Sequence, residues 1–318
     1  MKNQKICIIG DGLAGLSTTL TLKNLNIEID VYYKKNHKFI TDSRTTAISE
    51  SNFQFLNKQE RLTKSLFWPC KKINLYYENK NNQNNFLNYS NDDKNLMYIF
   101  ENKKFKSFLN SKLKKQKNVK FIKKKISNID HENSSIIVDK KKYYYDLIIL
   151  CLGSNSKIYN KLFKNRIEIK KDYNEFAFTG TIQHNHKIIN PSQYFLPKGP
   201  LAILPFSKNK FSFVWSLKKE LIYKNKNKLK QLISSEIERI YKKIKFKVLN
   251  FQTFPLNLNL KTQYSINNVL VFGEGIHSIH PVAGQGFNLV IRDIKKLNEL
   301  INDNLKLRST YITNILKC

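Results

Sequence analysis

The residues best placed to do chemistry begin with Gly10-x-Gly12-x-x-Gly15, directly after the apolar run Ile6-Cys7-Ile8-Ile9. Between a buried strand and a helix, such glycines permit a tight turn, close approach of a pyrophosphate, and close helix–strand packing. The helix start would offer its free N–H groups and positive dipole end to the phosphates. This placement predicts a dinucleotide site at the N-terminus. An acid near the end of the second strand normally holds the ribose. That position is Tyr33, with Glu28 and Asp30 nearby.

A second constellation spans residues 273–288, Gly-Glu-Gly-Ile-His-Ser-Ile-His-Pro-Val-Ala-Gly-Gln-Gly-Phe-Asn, with Asp293 beyond. Glu274 could accept hydrogen bonds from polyol hydroxyls, and Gly284 and Gly286 would open a helix facing a ligand. An isoalloxazine ring gains negative charge when reduced, so a helix start suits it. His277 and His280 read better as satisfied loop histidines than as bases or metal ligands.

The elements that must position these residues follow from periodicity. Residues 6–9 and 27–33 read as buried strands, with a helix over 16–25 between them. A helix is expected over 49–64 with Ser49 as N-cap, and another over 101–115 with Phe105, Phe108, Leu109 and Leu113 on one face. Residues 79–94 are polar and asparagine-rich and read as a loop. Short strands dominate 119–150, strands recur through 175–216, and an amphipathic helix is expected at 229–245. A late buried strand at 269–272 precedes a helix over about 286–302. The fold class expected is α/β, a Rossmann-like nucleotide-binding domain with an inserted β-sheet-rich domain. The glycine motifs at both ends and in the middle place the nucleotide domain in 1–70, 98–170 and 265–318. The β-rich domain then takes 71–97 and 171–264.

Composition narrows the function classes. The 318 residues are 41% hydrophobic and 25% charged, enough for a sizeable core and too apolar for a disordered chain. No uncharged apolar stretch is long enough to span a membrane, and no signal peptide is expected. Cys7, Cys70, Cys151 and Cys318 are far apart and form no metal or disulfide pattern, as in a reducing cytoplasm. The net charge of +32 comes from 50 lysines and only six arginines, dispersed along the chain. A solvated lysine surface explains that better than specific nucleic-acid binding, which favours arginine concentrated on one face.

Taken together, these motifs resemble those of the FAD-dependent aromatic hydroxylases of the para-hydroxybenzoate hydroxylase type. Within them, the chain is most similar to the 2-polyprenylphenol hydroxylases of ubiquinone biosynthesis. Residues 42–49 (Asp-Ser-Arg-Thr-Thr-Ala-Ile-Ser) resemble the family segment whose arginine, here Arg44, approaches FAD. Residues 98–102 resemble the start of its next helix, and 146–156 its middle motif around Gly153. Residues 195–205 with 214–216 resemble the sheet over its substrate pocket. Tyr33, Leu152 and Glu274 depart from the residues the family usually has.

The resemblance implies that the Rossmann-like domain is an FAD-binding domain (glutathione-reductase-like) and the inserted β-sheet-rich domain a substrate domain. It implies a monooxygenase that uses FAD and O2 to hydroxylate the ring of a polyprenylphenol through a flavin C4a-hydroperoxide. Electrons would come from an external donor, NAD(P)H or a reductase. The residues implied to hold FAD are Gly10, Gly12, Gly15, Arg44, Gly153, Glu274, Gly284, Gly286, Phe287 and Asn288. Pro281 and Gln285 are implied beside the reactive face of the flavin. Phe195, Leu204, Phe213 and Trp215 lie on strands that could line an apolar groove, with an ordinary core role for each equally open. A quinone-biosynthesis protein complex and a peripheral contact with the inner face of the membrane stay open. So do two other readings, a flavin-dependent reductase or halogenase and a non-catalytic scaffold, although no Trp-x-Trp of the halogenase kind occurs.

Overall fold

The structure, a computed structural model, describes residues 4–34, 44–79, 82–153, 156–163, 168–185, 189–273, 276–278 and 285–306. The first apolar run becomes the strand Gln4–Ile9, at the middle of a six-stranded sheet. Its order is Ser265–Ile266, Val269–Val271, Leu147–Leu150, Gln4–Ile9, Ile27–Tyr33, Val119–Lys123. All pairs are parallel except the edge pair of Ser265–Ile266 with Val269–Val271. Both faces are covered, which is why the central strands read as unbroken apolar runs. Helices Leu13–Leu22, Asn102–Leu113 and Gln285–Lys306 pack on one face around Ile6, Ile8, Leu20, Leu109 and Ile294. The other face carries Cys7, Ile9 and Leu150 beneath a small antiparallel sheet and the helix Lys157–Leu162.

The helix after the glycine turn buries Thr18, Thr19 and Thr21. Burial is tolerable because each hydroxyl donates to the carbonyl four residues back, Thr18 to Ala14 at 2.9 Å and Thr19 to Gly15 at 2.8 Å. Ser49 caps the helix Glu50–Gln59, its Oγ accepting from the Asn52 N–H at 3.4 Å.

The second sheet has eight strands, in the order His277–Ser278, Phe246–Lys261, Glu168–His184, Lys210–Lys218, Gly199–Ser207, Ser192–Leu196, Lys72–Asn79, Asn82–Ser90. It is antiparallel apart from Ser192–Leu196 against Lys72–Asn79. Helix Leu229–Ile240 closes one face over Phe178, Phe213, Trp215, Ile233 and Ile237. The other face presents Leu204 and Phe206 to a three-stranded sheet of Thr45–Ser49, Met97–Glu101 and Phe67–Cys70. The architecture is thus α/β, a Rossmann-like parallel domain with a separate antiparallel sheet.

One expectation is corrected and one open alternative is decided. Residues 79–94 are not simply a loop, since Asn82–Ser90 pairs antiparallel with Lys72–Asn79. Asparagine is depleted in strands, and a register shift between Leu75 and Tyr76 breaks the apolar alternation, so the strand pattern is hidden. Of the two roles open for Phe213 and Trp215, the structure shows the core one: both are fully buried under Leu229–Ile240, on the opposite face from Leu204. Adjacent strand positions point to opposite faces, and both faces are covered here.

Candidate cofactor and active site

The glycine turn separates two physical roles. Gly10 has φ +122°, and a Cβ there would lie 2.3 Å from the Cys151 carbonyl oxygen, so only glycine fits between the two central strands. A Cβ on Gly15 would lie 2.0 Å from the Gly10 carbonyl oxygen, which fixes how closely the helix approaches the turn. Gly12 is different. It caps Leu13–Leu22 with no side-chain hydrogen bond, and a Cβ there would meet nothing within 4 Å. Gly153, just beyond Leu147–Leu150, and Gly286, in the first turn of Gln285–Lys306, also face open space. Burial pushes the neighbouring Cys151 thiol up to about 12, so it is a wall of the turn and not a nucleophile.

Gly273 joins the two ends of the chain. It follows Val269–Val271 with φ +72°, and its Cβ direction points at Ala14, 3.0 Å away, and Val290, 3.8 Å away. The N-terminal and C-terminal glycine motifs therefore converge at the carboxyl end of the parallel sheet, where open α/β sheets bind ligands. Three glycines facing open space and two helix starts fit the diphosphate and polar edge of a flavin dinucleotide.

Asn288 locks the last helix to this site. Its Oδ1 accepts from the Ser49 N–H and from Asn52 Nδ2, each at 2.9 Å, and its Nδ2 donates to the Ala47 carbonyl at 3.0 Å. Phe287 is half-buried, its ring edge-on to Phe100 at 5.8 Å. The side chains of Phe287 and Asn288 thus hold the helix start in place, which leaves the backbone to face a ligand. Arg44 directly precedes Thr45–Ser49 of the three-stranded sheet, its guanidinium 5.6 Å from the centre of the Phe254 ring in the eight-stranded one. Beside it, the Thr45 hydroxyl hydrogen-bonds that of Ser212, and Thr46 Oγ1 donates to Asn102 Oδ1 at 2.7 Å. Leu204 lies on this same face of the eight-stranded sheet. Glu274, Pro281 and Gly284 lie outside the described residues, as does His280. Gln285 opens the final helix, but its side chain lies outside them too.

A cavity of about 390 Å³ adjoins the turn, lined by Asp11, Tyr33, Ser107, Asn110, Lys114 and Phe121, among others. Tyr33 ends its strand edge-on to Phe121. Asp11 pairs with Lys106 at 2.9 Å. Asp30 is unavailable as a ribose acid: it is buried, with Lys5 Nζ and the Tyr145 hydroxyl each 2.8 Å from its Oδ2. Glu28 is exposed near the start of the strand. Sequence reasoning missed this wall, because Asp11 and Lys106 meet across 95 residues. The one local signal was an acid inside the glycine turn.

Comparison with known proteins decides what this arrangement belongs to. A family profile described as FAD binding domain matches residues 147–308, just over half of the chain. A second, described as Glucose inhibited division protein A, matches residues 5–188 and spans the first glycine turn. This chain belongs to the FAD binding domain family. FAD is its cofactor.

As a member of that family, the chain is similar to proteins named for ubiquinone biosynthesis. Ubiquinone biosynthesis monooxygenase COQ6, mitochondrial, of Dictyostelium discoideum is 23% identical over 95% of this chain and 77% of its own length. Ubiquinone hydroxylase UbiL of Rhodospirillum rubrum is 30% identical over 40% of this chain. The 3-demethoxyubiquinol 3-hydroxylase of Escherichia coli is 33% identical over 34% of it. The matches span only 30% and 28% of those two bacterial proteins. Among solved structures, PqsL, a probable FAD-dependent monooxygenase from Pseudomonas aeruginosa, aligns with TM-score 0.78 at 14% identity, covering 99% of this chain and 90% of that one. p-Nitrophenol 4-monooxygenase PnpA from Pseudomonas putida aligns with TM-score 0.79 at 13% identity, covering 99% and 83%. At such identities these two establish the fold alone.

Proposed function

We propose that this FAD-dependent monooxygenase hydroxylates the aromatic ring of a polyprenylated phenol in ubiquinone biosynthesis. The observation that carries the reading is the contact of Gly273 with Ala14 and Val290, which joins the N-terminal glycine turn to the last helix, with Gly12, Gly153 and Gly286 each facing open space. The ubiquinone-hydroxylase names of its relatives supply the substrate class. The proposed holding set is Gly10, Gly12, Gly15, Arg44, Gly153, Glu274, Gly284, Gly286, Phe287 and Asn288, with Pro281 and Gln285 beside the flavin ring. Its division into an FAD domain (1–70, 98–170, 265–318) and a substrate domain (71–97, 171–264) is part of the same proposal.

When bound and reduced, FAD supplies activation of O2 and transfer of one oxygen atom. The chain's own residues orient and enclose. Gly10 and Gly15 set the turn, and the helix start after Gly12 offers N–H donors to a diphosphate. The start of Gln285–Lys306 offers N–H groups and a positive dipole end, which favours negative charge beside it by about 0.3–1 kcal/mol. Arg44, held against Phe254, brings a positive charge beside the three-stranded sheet. Leu204 and Phe206 help keep water from the adjoining face. The cavity bounded by Tyr33 and Asp11 is the proposed place of the adenosine end.

We place the protein in the cytoplasm, in peripheral contact with the inner face of the membrane where a polyprenylated substrate resides. Among the described residues, no helix is long and apolar enough to cross a membrane. The test is expression in a bacterial strain lacking a ubiquinone ring hydroxylase. Restored quinone is the expected result. Failure from a folded, FAD-loaded protein would favour a reductase or scaffold.

A further inference from the structure

The face of the eight-stranded sheet that carries Leu204 continues outward over Ser192–Leu196, Lys72–Asn79 and the edge strand Asn82–Ser90. Register puts its side chains together: Ile73 opposite Tyr89, Leu75 opposite Leu87, and Tyr77 beside Phe195. The bulge at Leu75/Tyr76 brings Phe86 onto this face too, its ring 6.0 Å from that of Phe195. Tyr77, Phe86, Leu87, Tyr89 and Phe195 are 37–54% exposed. Among the described residues, eleven large apolar or aromatic side chains are exposed, and these five share one patch. A contiguous patch of this kind marks an interaction surface.

Charge identifies the occupant. Nearly one residue in six of the chain is lysine, yet Lys72 is the only lysine on these three strands. Exposed lysines stand at both ends of the patch, Lys71 at one and Lys198 in the turn at the other, while Lys72 alternates onto the opposite face. The only acid on the strands, Glu78, sits on the opposite face, ion-paired with Arg239 at 2.6 Å. Asp92 and Asp93 follow the edge strand, where Lys71 Nζ donates to the Asp92 carbonyl. An uncharged aromatic centre with lysines at its rim matches a bilayer interface, where rings lie at headgroup depth and ammonium groups meet anionic lipid. A second copy is the poorer match, since two chains of net charge +32 repel. We infer that Tyr77, Phe86, Leu87, Tyr89 and Phe195 form a membrane-seating face for anionic lipid. This deepens the proposed membrane contact and rests on that reading for its purpose, namely reaching a substrate whose tail lies in the bilayer.

The test uses the FAD-loaded full chain and no substrate. Sedimentation is measured with vesicles of phosphatidylglycerol mixed with phosphatidylcholine, and with phosphatidylcholine alone. Binding to the anionic vesicles should be the stronger and should weaken with salt. The double variant Phe86→Ser/Tyr89→Ser should lose roughly tenfold or more in partitioning, with flavin content and melting temperature unchanged. A Phe86→Trp variant should shift its emission to the blue on vesicles and be quenched by brominated lipid, relative to the background of Trp68 and Trp215. Unchanged partitioning of the double variant would overturn the inference, as would absence of quenching, which would mean adsorption through lysine alone. A solution dimer that the double variant converts to monomer would also overturn it. Ring hydroxylation without vesicle binding would sink this surface alone. Vesicle binding without hydroxylation would count against the functional reading alone.

Discussion

At Gly12 the missing Cβ faces space a ligand would use, whereas at Gly10 it faces a backbone carbonyl 2.3 Å away. The two substitutions should therefore fail differently. Gly12→Val should fold and melt like the parent but bind FAD at least about 100-fold more weakly, because a side chain would occupy the diphosphate's approach. Added FAD should raise the melting temperature of the parent and not of this variant. Gly10→Ala should instead destabilise the FAD-free protein by about 2–4 kcal/mol, from strained φ and overpacking. Flavin fluorescence titration and thermal melts read both. Asn288→Ala removes bonds to Ser49, Asn52 and Ala47. It should cost about 1–3 kcal/mol in urea unfolding and weaken FAD only through a displaced helix start.

Element packing depends on one partly buried carboxylate. Glu60, just after Glu50–Gln59, meets Lys23 at 2.7 Å, after the first helix, and Lys112 at 2.9 Å in Asn102–Leu113. The Lys23 hydrogen bond, chief among the causes, holds the Glu60 carboxyl below its usual range. A folded value below the unfolded one gives stability that is present above the unfolded value and lost as pH falls through the folded one. Glu60→Gln should cost about 1–3 kcal/mol at neutral pH, with the difference closing below about pH 4, as read by urea unfolding across pH. Much at this scale was legible in advance. The strand at 27–33, the Ser49 cap and the apolar face of Phe105, Leu109 and Leu113 are local patterns that tertiary structure did not override. The glycine turn was legible because backbone geometry demands those residues. Asn82–Ser90 was not, because a bulge shifts its phase and asparagine masks it. Nor was the pairing of Asp11 with Lys106, which exists only once the third long helix packs beside the first.

Across the whole molecule, the charge of +32 must be reconciled with the proposed action on a neutral phenol. Lysine is dispersed, and it pairs locally with acids such as Asp139 and Asp172. Binding to duplex DNA should therefore be weak, indifferent to sequence and steeply lost with salt. Electrophoretic mobility shifts in graded salt would check this, and a sequence-specific complex surviving physiological salt would contradict it. On the proposed function, the FAD-loaded chain transfers one oxygen atom from O2 to a phenol ring. The direct measurement is mass spectrometry of the product formed from a polyprenylated phenol under 18O2, with a chemical or enzymatic reductant for the flavin. The expected product carries one 18O on the ring, depends on FAD and is absent with Gly12→Val. A folded, FAD-loaded protein that consumes reductant yet leaves the phenol unlabelled, or yields a product with oxygen from water, would contradict it.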